Sequence, residues 1–167
     1  MDAGRRFFLR GGVTPPPTAQ FAPPRPPWAG PEDGFVRVCT RCDACIAACP
    51  EGILRRGDGG FPVVSFDTAG CTFCGRCADT CSPKALRPSP DRVAWSWHAT
   101  VAADCLALRR VECRVCGEMC DLGAIRFRPG EGGIAQPIVS VADCTGCGQC
   151  VATCPTRAIQ LKAPASS

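Results

Sequence analysis

The chain has 167 residues, a formal net charge of +4 at pH 7 and 16 cysteines. The cysteines fall in groups of four with short gaps, and no continuous apolar segment of a secretory signal is present, so metal sites are favoured over a disulfide scaffold. Deprotonated, metal-bound thiols would turn the net charge negative, and no basic run with interleaved aromatic residues occurs, so we expect no nucleic-acid partner.

Residues 1–33 differ from the rest of the chain, because they contain eight prolines and no cysteine. Such a segment favours extended conformations and cannot bury a core, so it is predicted to be a Pro-rich flexible or partner-ordered arm. We expect two parts of it to bind a partner: a cationic and apolar patch, and Trp28 beside rigid prolines. The patch consists of Arg5, Arg6, Phe7, Phe8 and Leu9. The alternative is an inert tail with Trp28 folded back on the cysteine-rich part.

The Arg5-Arg6 pair also resembles the start of a twin-arginine export signal. Such a signal needs an apolar stretch of about 7–15 residues and a small-residue cleavage site. Here two glycines, Val13, Thr14 and three prolines follow instead. We therefore expect a cytoplasmic protein without a membrane span.

From Gly34 onward, one unit occurs four times: a short strand, a cysteine loop, a short helix and a second short strand. Short runs of β-branched and apolar residues predict the strands at 35–38, 53–54, 63–66, 85–86, 124–127, 138–141 and 158–161. Helical turns are predicted at 46–49 and 151–154. With 18 Gly, 17 Pro and 7% aromatic residues, the apolar core should be thin, so bound metal should supply much of the folding free energy.

Three cysteine groups have the spacing C-x2-C-x2-C-x3-C: Cys39/Cys42/Cys45/Cys49, Cys71/Cys74/Cys77/Cys81 and Cys144/Cys147/Cys150/Cys154. This spacing is typical of bacterial ferredoxins, in which three cysteines wrap one 4Fe–4S cluster and the fourth ligates the other cluster of the pair. A tetrahedral zinc site is the alternative, but zinc needs only four ligands, commonly as two separated C-x2-C pairs.

The third group is Cys105, Cys113, Cys116 and Cys120, so its first member lies farther upstream than in the other groups. The inserted loop 106–112 can still bring Cys105 to the cluster, because added loop length costs little free energy. The alternative is a free Cys105 thiol and a three-iron cluster.

Ligand crossing within each pair predicts four 4Fe–4S clusters. Cluster 1 takes Cys39, Cys42, Cys45 and Cys81; cluster 2 takes Cys71, Cys74, Cys77 and Cys49; cluster 3 takes Cys105, Cys113, Cys116 and Cys154; cluster 4 takes Cys144, Cys147, Cys150 and Cys120. The predicted fold is small, metal-organised and α+β, with two tandem bacterial-ferredoxin-like modules of short strands and short helices at 34–90 and 91–167.

No other residue pattern predicts catalysis. The single histidine, His98, follows Trp95 and Trp97, whose alternation predicts a strand that packs its module, with His98 as a bystander. No Gly-rich phosphate loop and no nucleophile with a paired base are visible. We therefore expect a protein that is not an enzyme.

The whole pattern resembles the NapF family of ferredoxin-type proteins. The resemblance rests on the segments 5–11, 25–29, 39–42, 59–62, 71–75, 104–107, 113–116 and 124–127. It is most specific in Arg25-Pro26-Pro27-Trp28 and in the stretched third group. It departs where the proline that follows the last cysteine is shifted to Pro83 or replaced by Asp121, and neither change removes a ligand.

The resemblance implies a cytoplasmic accessory protein with four 4Fe–4S clusters. Its partner would be the catalytic subunit of the periplasmic nitrate reductase, which it would contact before export and help to load with an iron–sulfur cluster. The alternative is an electron carrier, or an electron-transfer subunit of a redox complex.

Overall fold

The computed structural model describes residues 24–163, and residues 1–23 and 164–167 lie outside this range. The helices are α1 Glu32–Val38, α2 Ala44–Ala47, α3 Arg76–Asp79, α4 Val115–Glu118 and α5 Gln149–Ala152. The strands are β1 Leu54–Arg56, β2 Pro62–Val64, β3 His98–Val101, β4 Ile125–Pro129, β5 Ala135–Val139 and β6 Ile159–Lys162. None of the helices in the described range is long and apolar enough to cross a lipid bilayer.

The described strands pair in three antiparallel two-stranded sheets, β1–β2, β4–β5 and β3–β6. The first two are hairpins of the same design, because each turns through a short 3-10 segment that ends in two glycines, Asp58–Gly60 or Glu131–Gly133. The third sheet joins distant parts of the chain, with Val101 opposite Ile159. The chain is thus built from short strands and short helices in two repeated halves.

The first half closes in a way that resembles the β3–β6 sheet. Ala29, which precedes the first cysteine group, forms an antiparallel bridge with Leu86, which follows the second group. The backbone N–H of Arg87 donates to the carbonyl of Trp28 at 3.1 Å, and the N–H of Trp28 donates to Ala94 at 3.0 Å. In each half, the segment before the first cysteine group therefore pairs with the segment after the last.

The prediction of a flexible arm is wrong for residues 24–33, which pack against the first half of the chain. The carbonyl of Pro24 accepts a hydrogen bond from Val64 at 2.7 Å, and that of Arg25 accepts one from the Trp95 indole at 2.9 Å. Pro26 is among the most deeply buried residues. Prolines lack a backbone donor but keep their carbonyl, so an extended Pro-rich segment can still bond along a neighbouring chain. The rest of the arm, residues 1–23, lies outside the described residues.

Arg25 fixes this segment to the core. Its guanidinium lies 5.2 Å from the ring centroid of Phe35 and 5.3 Å from that of Phe61, and its Nε donates to Glu32 at 2.9 Å. The hydrogen bond from Arg25, and then the charge of its guanidinium, lower the pKa of Glu32 although burial opposes the shift. Cation–π contact and a partly buried ion pair both favour this position of the arm.

The predicted strand 35–38 is wrong, because these residues lie in α1. The helix follows Pro31, whose carbonyl accepts the first hydrogen bond from Phe35 at 2.9 Å. Glu32 and Asp33 lie in its first turn and Arg37 in its last, which suits the helix dipole. The short run of apolar and β-branched residues that predicted a strand here instead buries Phe35 and exposes Val36.

The remaining predicted elements agree with the structure to within a few residues. The run at 85–86 forms only the single bridge at Leu86. The strand near Trp95 and Trp97 begins at His98, and the two indoles stack at 4.9 Å between centroids. His98 lies opposite Lys162 in the β3–β6 sheet and lines none of the cysteine cavities described below.

The apolar core is small. In the first half it centres on Phe35, Leu54, Val64 and Leu86, and in the second on little more than Ala99 and two isoleucines. Five cysteines are buried alongside these residues: Cys77, Cys81, Cys105, Cys116 and Cys150. Much of the interior is therefore thiol rather than hydrocarbon, as the composition predicts.

Candidate metal centres

The sixteen cysteines line four cavities in four sets of four, and Cys71 of the second set also borders the fourth cavity. Site 1 has Cys39, Cys42, Cys45 and Cys81; site 2 has Cys49, Cys71, Cys74 and Cys77; site 3 has Cys105, Cys113, Cys116 and Cys154; site 4 has Cys120, Cys144, Cys147 and Cys150. These are the same sets that ligand crossing predicts. Ligation of a cluster by each set stays a prediction, and the geometry brings the required thiols together.

Each site takes three cysteines from one loop. Its fourth cysteine is the last cysteine of the partner site's loop. Cys49 follows α2 and lines site 2, although the other cysteines of its loop line site 1. Cys154 does the same after α5, and lines site 3. The short helix carries the chain from one cavity to the next, which is the geometric basis of the crossing.

Backbone conformation repeats around the cysteines. In three of the loops the two residues that flank the second cysteine have positive φ: Arg41 and Asp43, Phe73 and Gly75, Gly146 and Gly148. Three residues after the last cysteine of every group, the backbone is again left-handed, at Gly52, Lys84, Gly123 and Arg157. L-residues other than glycine seldom adopt this region, so its recurrence shows a backbone constrained to one loop shape. These positions repeat relative to the cysteines but differ in residue type, so sequence reasoning missed the shared backbone conformation.

Burial and mutual repulsion make these thiols hard to ionise without a cation. Burial raises the pKa of Cys77 and of Cys150 to about 12, and neighbouring cysteines add to the increase. Burial likewise raises the pKa of Cys45, Cys71 and Cys116 to about 11. Soft thiolate donors that converge in an apolar cavity suit iron in a 4Fe–4S cluster, which favours the ionised ligands.

Backbone N–H groups point at several sulfurs. Ala158 donates to Cys154 Sγ at 3.2 Å, and Ala99 donates to Cys144 Sγ at 3.4 Å. The N–H of Ala44 and then the hydroxyl of Thr40 lower the pKa of Cys42. Hydrogen bonds to cluster sulfurs are one of the means by which a protein tunes the reduction potential.

Cys105 reaches site 3 despite the inserted loop. Its side chain is buried, and its carbonyl accepts a hydrogen bond from Arg109 at 3.0 Å, which folds the insertion into a turn. Ala107 is buried against Cys105 and Ala158, so the insertion packs onto the segment after the last cysteine group. This arrangement favours four ligands at site 3 over a three-iron cluster with a free Cys105.

Site 4 adjoins a larger space than the others. With the open solvent at their mouths included, the cavities of sites 1, 2 and 3 measure about 340, 340 and 330 Å³, whereas site 4 belongs to a cleft of about 1320 Å³. Prolines line the first three cavities near the fourth cysteine, Pro83 at site 1 included, but Asp121 and Leu122 occupy the corresponding place at site 4. The shifted proline after Cys81 therefore keeps its place in a cavity wall.

The predicted partner-binding residues fall into two groups. Arg5, Arg6, Phe7, Phe8 and Leu9 lie outside the described residues. Trp28 is half-buried and, with Pro27, lines the cavity of site 2. It has φ of 60° in a turn in which Ala29 donates to Pro26 at 3.2 Å. Trp28 therefore belongs to the wall of site 2, as the alternative of a tail folded back on the cysteine-rich part predicts. Sequence reasoning missed Arg25, which fixes this segment to the core.

Comparison with known proteins agrees with this geometry. A family model described as a 4Fe-4S dicluster domain matches residues 38–85 and 109–158. The ferredoxin-type protein NapF of Escherichia coli strain K12 is 48% identical over 159 residues, which cover 95% of this chain and 94% of the relative. The chain belongs to the NapF family. It is a ferredoxin-type iron–sulfur protein. The second match to the dicluster domain begins at residue 109, so it does not include Cys105.

Two further relatives have lower sequence identity to this chain. NapF of Haemophilus influenzae is 43% identical over 163 residues, covering 94% of this chain and 92% of the relative. The methylamine utilization ferredoxin-type protein MauM of Paracoccus denitrificans is 33% identical over 147 residues, covering 78% of this chain and 66% of the relative. Both names describe ferredoxin-type proteins and neither names an enzymatic activity.

Proposed function

We propose that this chain binds four 4Fe–4S clusters through the four cysteine sets above and acts as an accessory protein. In this role it assists iron–sulfur loading of the cytoplasmic precursor of the periplasmic nitrate reductase catalytic subunit. The observation that supports cluster binding is the convergence of all sixteen cysteines on four cavities, each of which is lined by at least four of them. When bound, the clusters would supply iron, sulfide and one-electron redox capacity.

Two further points support the accessory role. The similarity to NapF extends over nearly the whole chain rather than over the cysteine loops alone. The cleft beside site 4 leaves more space next to one cysteine set than the other cavities do, and the approach of a partner to a cluster requires such space. A cytoplasmic location follows from this proposal, because the precursor would be loaded before export.

An electron carrier is the second candidate, and the closeness of the paired sites favours it. Cys77 of site 2 and Cys81 of site 1 are buried in one apolar cluster, so thiols of the two sites lie close to each other. Neighbouring clusters in such an arrangement can exchange electrons, whether or not they are ever donated to a partner.

Anaerobic reconstitution with iron labelled as ⁵⁵Fe, followed by incubation with the cluster-free reductase precursor, tests the proposal. We expect about sixteen iron and sixteen sulfide per chain before incubation. Label should then move to the precursor, and it should not move to a precursor variant whose own cluster cysteines are replaced by serine.

The outcomes separate the two candidates. Label that stays on this chain while a reduced sample reduces the mature reductase would favour the electron carrier. A colourless protein that holds two zinc ions would contradict cluster binding altogether.

A further inference from the structure

The two halves of the chain meet through their cysteine loops. The backbone N–H of Cys71, at site 2, donates to the carbonyl of Cys147, at site 4, over 2.7 Å. Next to it, the N–H of Gly70 donates to Gln149 Oε1 over 2.9 Å. A single hydrogen bond therefore joins Cys71, a predicted ligand in the first half, to Cys147, a predicted ligand in the second half.

Glycines allow this close approach. A Cβ on Gly70 would lie 2.7 Å from the backbone nitrogen of Gln149, and one on Gly148 would lie 2.3 Å from the ring of Phe66. A Cβ on Gly146 would lie 2.1 Å from Trp97. Real Cβ atoms do not approach this closely, so both faces of the junction require the absence of a side chain.

Aromatic rings fill the space around the two loops. Phe66 lies edge-on to Trp95 and to Trp97, with centroids 5.8 and 6.2 Å apart, and Phe73 lies 5.8 Å from Trp95. The Trp97 indole N–H donates to the carbonyl of Gly146 at 2.9 Å. Rings from the first half and from the connecting segment thus pack directly on the site 4 loop, and such contacts fix relative position.

Packing links the sites within each half. Cys77 of site 2 and Cys81 of site 1 are buried in one apolar cluster. Cys150 of site 4 and Cys116 of site 3 are buried together in another. The cleft of site 4 is itself lined by Cys71, Thr72 and Phe73 of the site 2 loop.

We infer that the Cys71–Cys147 contact is the electronic junction between the two halves, so that the four sites form one relay in the order 1, 2, 4, 3. This inference rests on the cluster binding proposed above and not on the accessory role. In the step across the junction, one electron leaves a reduced cluster in site 2, which is oxidised, and reduces the cluster in site 4. No bond is broken, and no proton or further reactant is needed.

Cluster pairs retained selectively in the full-length chain test this order. In Cys39→Ala/Cys42→Ala/Cys105→Ala/Cys113→Ala, two ligands are removed from each end of the relay, and we expect about eight iron per chain, held in sites 2 and 4. After reduction with titanium(III) citrate, the electron paramagnetic resonance signals of these two clusters should be split or broadened by their magnetic interaction. The matched control Cys74→Ala/Cys77→Ala/Cys105→Ala/Cys113→Ala retains sites 1 and 4, which are not neighbours in the relay, and should give narrower signals.

Non-interacting signals in the first variant, or an equal or stronger interaction in the control, would overturn the inference. If either variant holds other than about eight iron, the crystal structure of the reconstituted wild-type chain decides instead. Sites 2 and 4 as the nearest clusters across the two halves would support the relay, and any other nearest pair would refute it. Wild-type protein without bound iron would refute the proposed cluster binding, which is a separate result.

Discussion

Single residues decide which cavity each sulfur enters. Cys49 lies only four positions after Cys45, yet these residues line different sites, because the end of α2 falls between them. The left-handed residue Gly52 then turns the chain toward β1. The same arrangement follows Cys81, Cys120 and Cys154, so the crossing is a property of the repeated unit.

Iron loss from paired substitutions should reveal the crossing. Cys49→Ser combined with Cys74→Ser removes two ligands from site 2 alone, so the chain should lose about four iron. Cys49→Ser combined with Cys42→Ser removes one ligand from each of two sites, and should lose only about two, because each site can keep a three-iron cluster. Iron and sulfide analysis after identical reconstitution makes the comparison. The opposite ranking would place Cys49 with Cys39, Cys42 and Cys45 on one cluster.

Cys105→Ser should change site 3 alone. The buried thiol lies with three other cysteines at this site, and the other sites keep complete ligand sets. Electron paramagnetic resonance of the oxidised protein should show a new three-iron signal, with a loss of about one iron per chain. Arg109→Ala, in the same inserted loop, is the control and should leave spectrum and iron unchanged. An unaltered Cys105→Ser spectrum would mean that this thiol is not a ligand.

At the scale of elements, the arm is part of the first half's structure. Residues 24–31 pair with β2, with the segment at Leu86 and with the connecting segment at Ala94, and they supply Pro27 and Trp28 to the wall of site 2. The folded part of the first half therefore begins upstream of α1. Deleting the arm up to different points separates this structural role from partner binding.

Deletion of residues 1–23 should leave iron content unchanged but weaken binding to the reductase precursor, if the Arg5–Leu9 patch contacts that partner. Deletion of residues 1–31 should in addition lower the iron content by about four, because the wall of site 2 is lost. Iron analysis and partner affinity of both truncated proteins provide the test. Equal affinity of the shorter deletion and the full chain would exclude the patch, and full iron in the longer deletion would exclude the wall.

Arg25→Ala should destabilise the first half by about 2 kcal/mol, because it removes cation–π contact with two rings and leaves Glu32 without its partner. The midpoint for thermal loss of cluster absorbance should fall by roughly 5–10 °C at a fixed heating rate. Arg37→Ala is the matched control, since Arg37 is exposed and, among the described residues, donates only to the Asp33 carbonyl of its own helix. A fall of similar size in both variants would argue against the anchoring role of Arg25.

The sequence predicted those features that depend on local chemistry, and missed those that depend on distant contacts. Cysteine spacing, together with the ligand crossing of bacterial ferredoxins, was enough to predict which thiols share a cavity. The segment 35–38 has the apolar and β-branched residues of a short strand, but Pro31 and the acidic residues before it favour the start of a helix. The packing of residues 24–33 could not be predicted, because it depends on Phe35, Phe61 and Trp95, which are separated from Arg25 in sequence.

At the scale of the whole molecule, apolar packing is too limited to account for the fold. The described strands form sheets of only two strands each, and an isolated two-stranded hairpin is marginally stable in water. Four of the five described helices have only four residues, whereas isolated helices need about 12–15 residues to persist. The elements are held in place where their cysteines meet, so the clusters must contribute a large part of the folding free energy.

Removal of the clusters should therefore unfold the chain in a single step rather than leave a folded apoprotein. The buried thiols of the four sites would lose their cation, and ionised or mutually repelling sulfurs cannot fill the cavities that iron and sulfide occupied. Treatment with ferricyanide and a chelator should abolish the visible absorbance and the far-ultraviolet circular dichroism in parallel. Anaerobic addition of iron and sulfide under reducing conditions should restore both. Circular dichroism that persists after complete loss of iron would show that the small apolar core is sufficient by itself.

Because sites 2 and 4 meet at the junction, loss of the cluster at either site should also loosen the other half of the chain. Limited proteolysis of the linker at Arg87 and Arg92 measures this loosening.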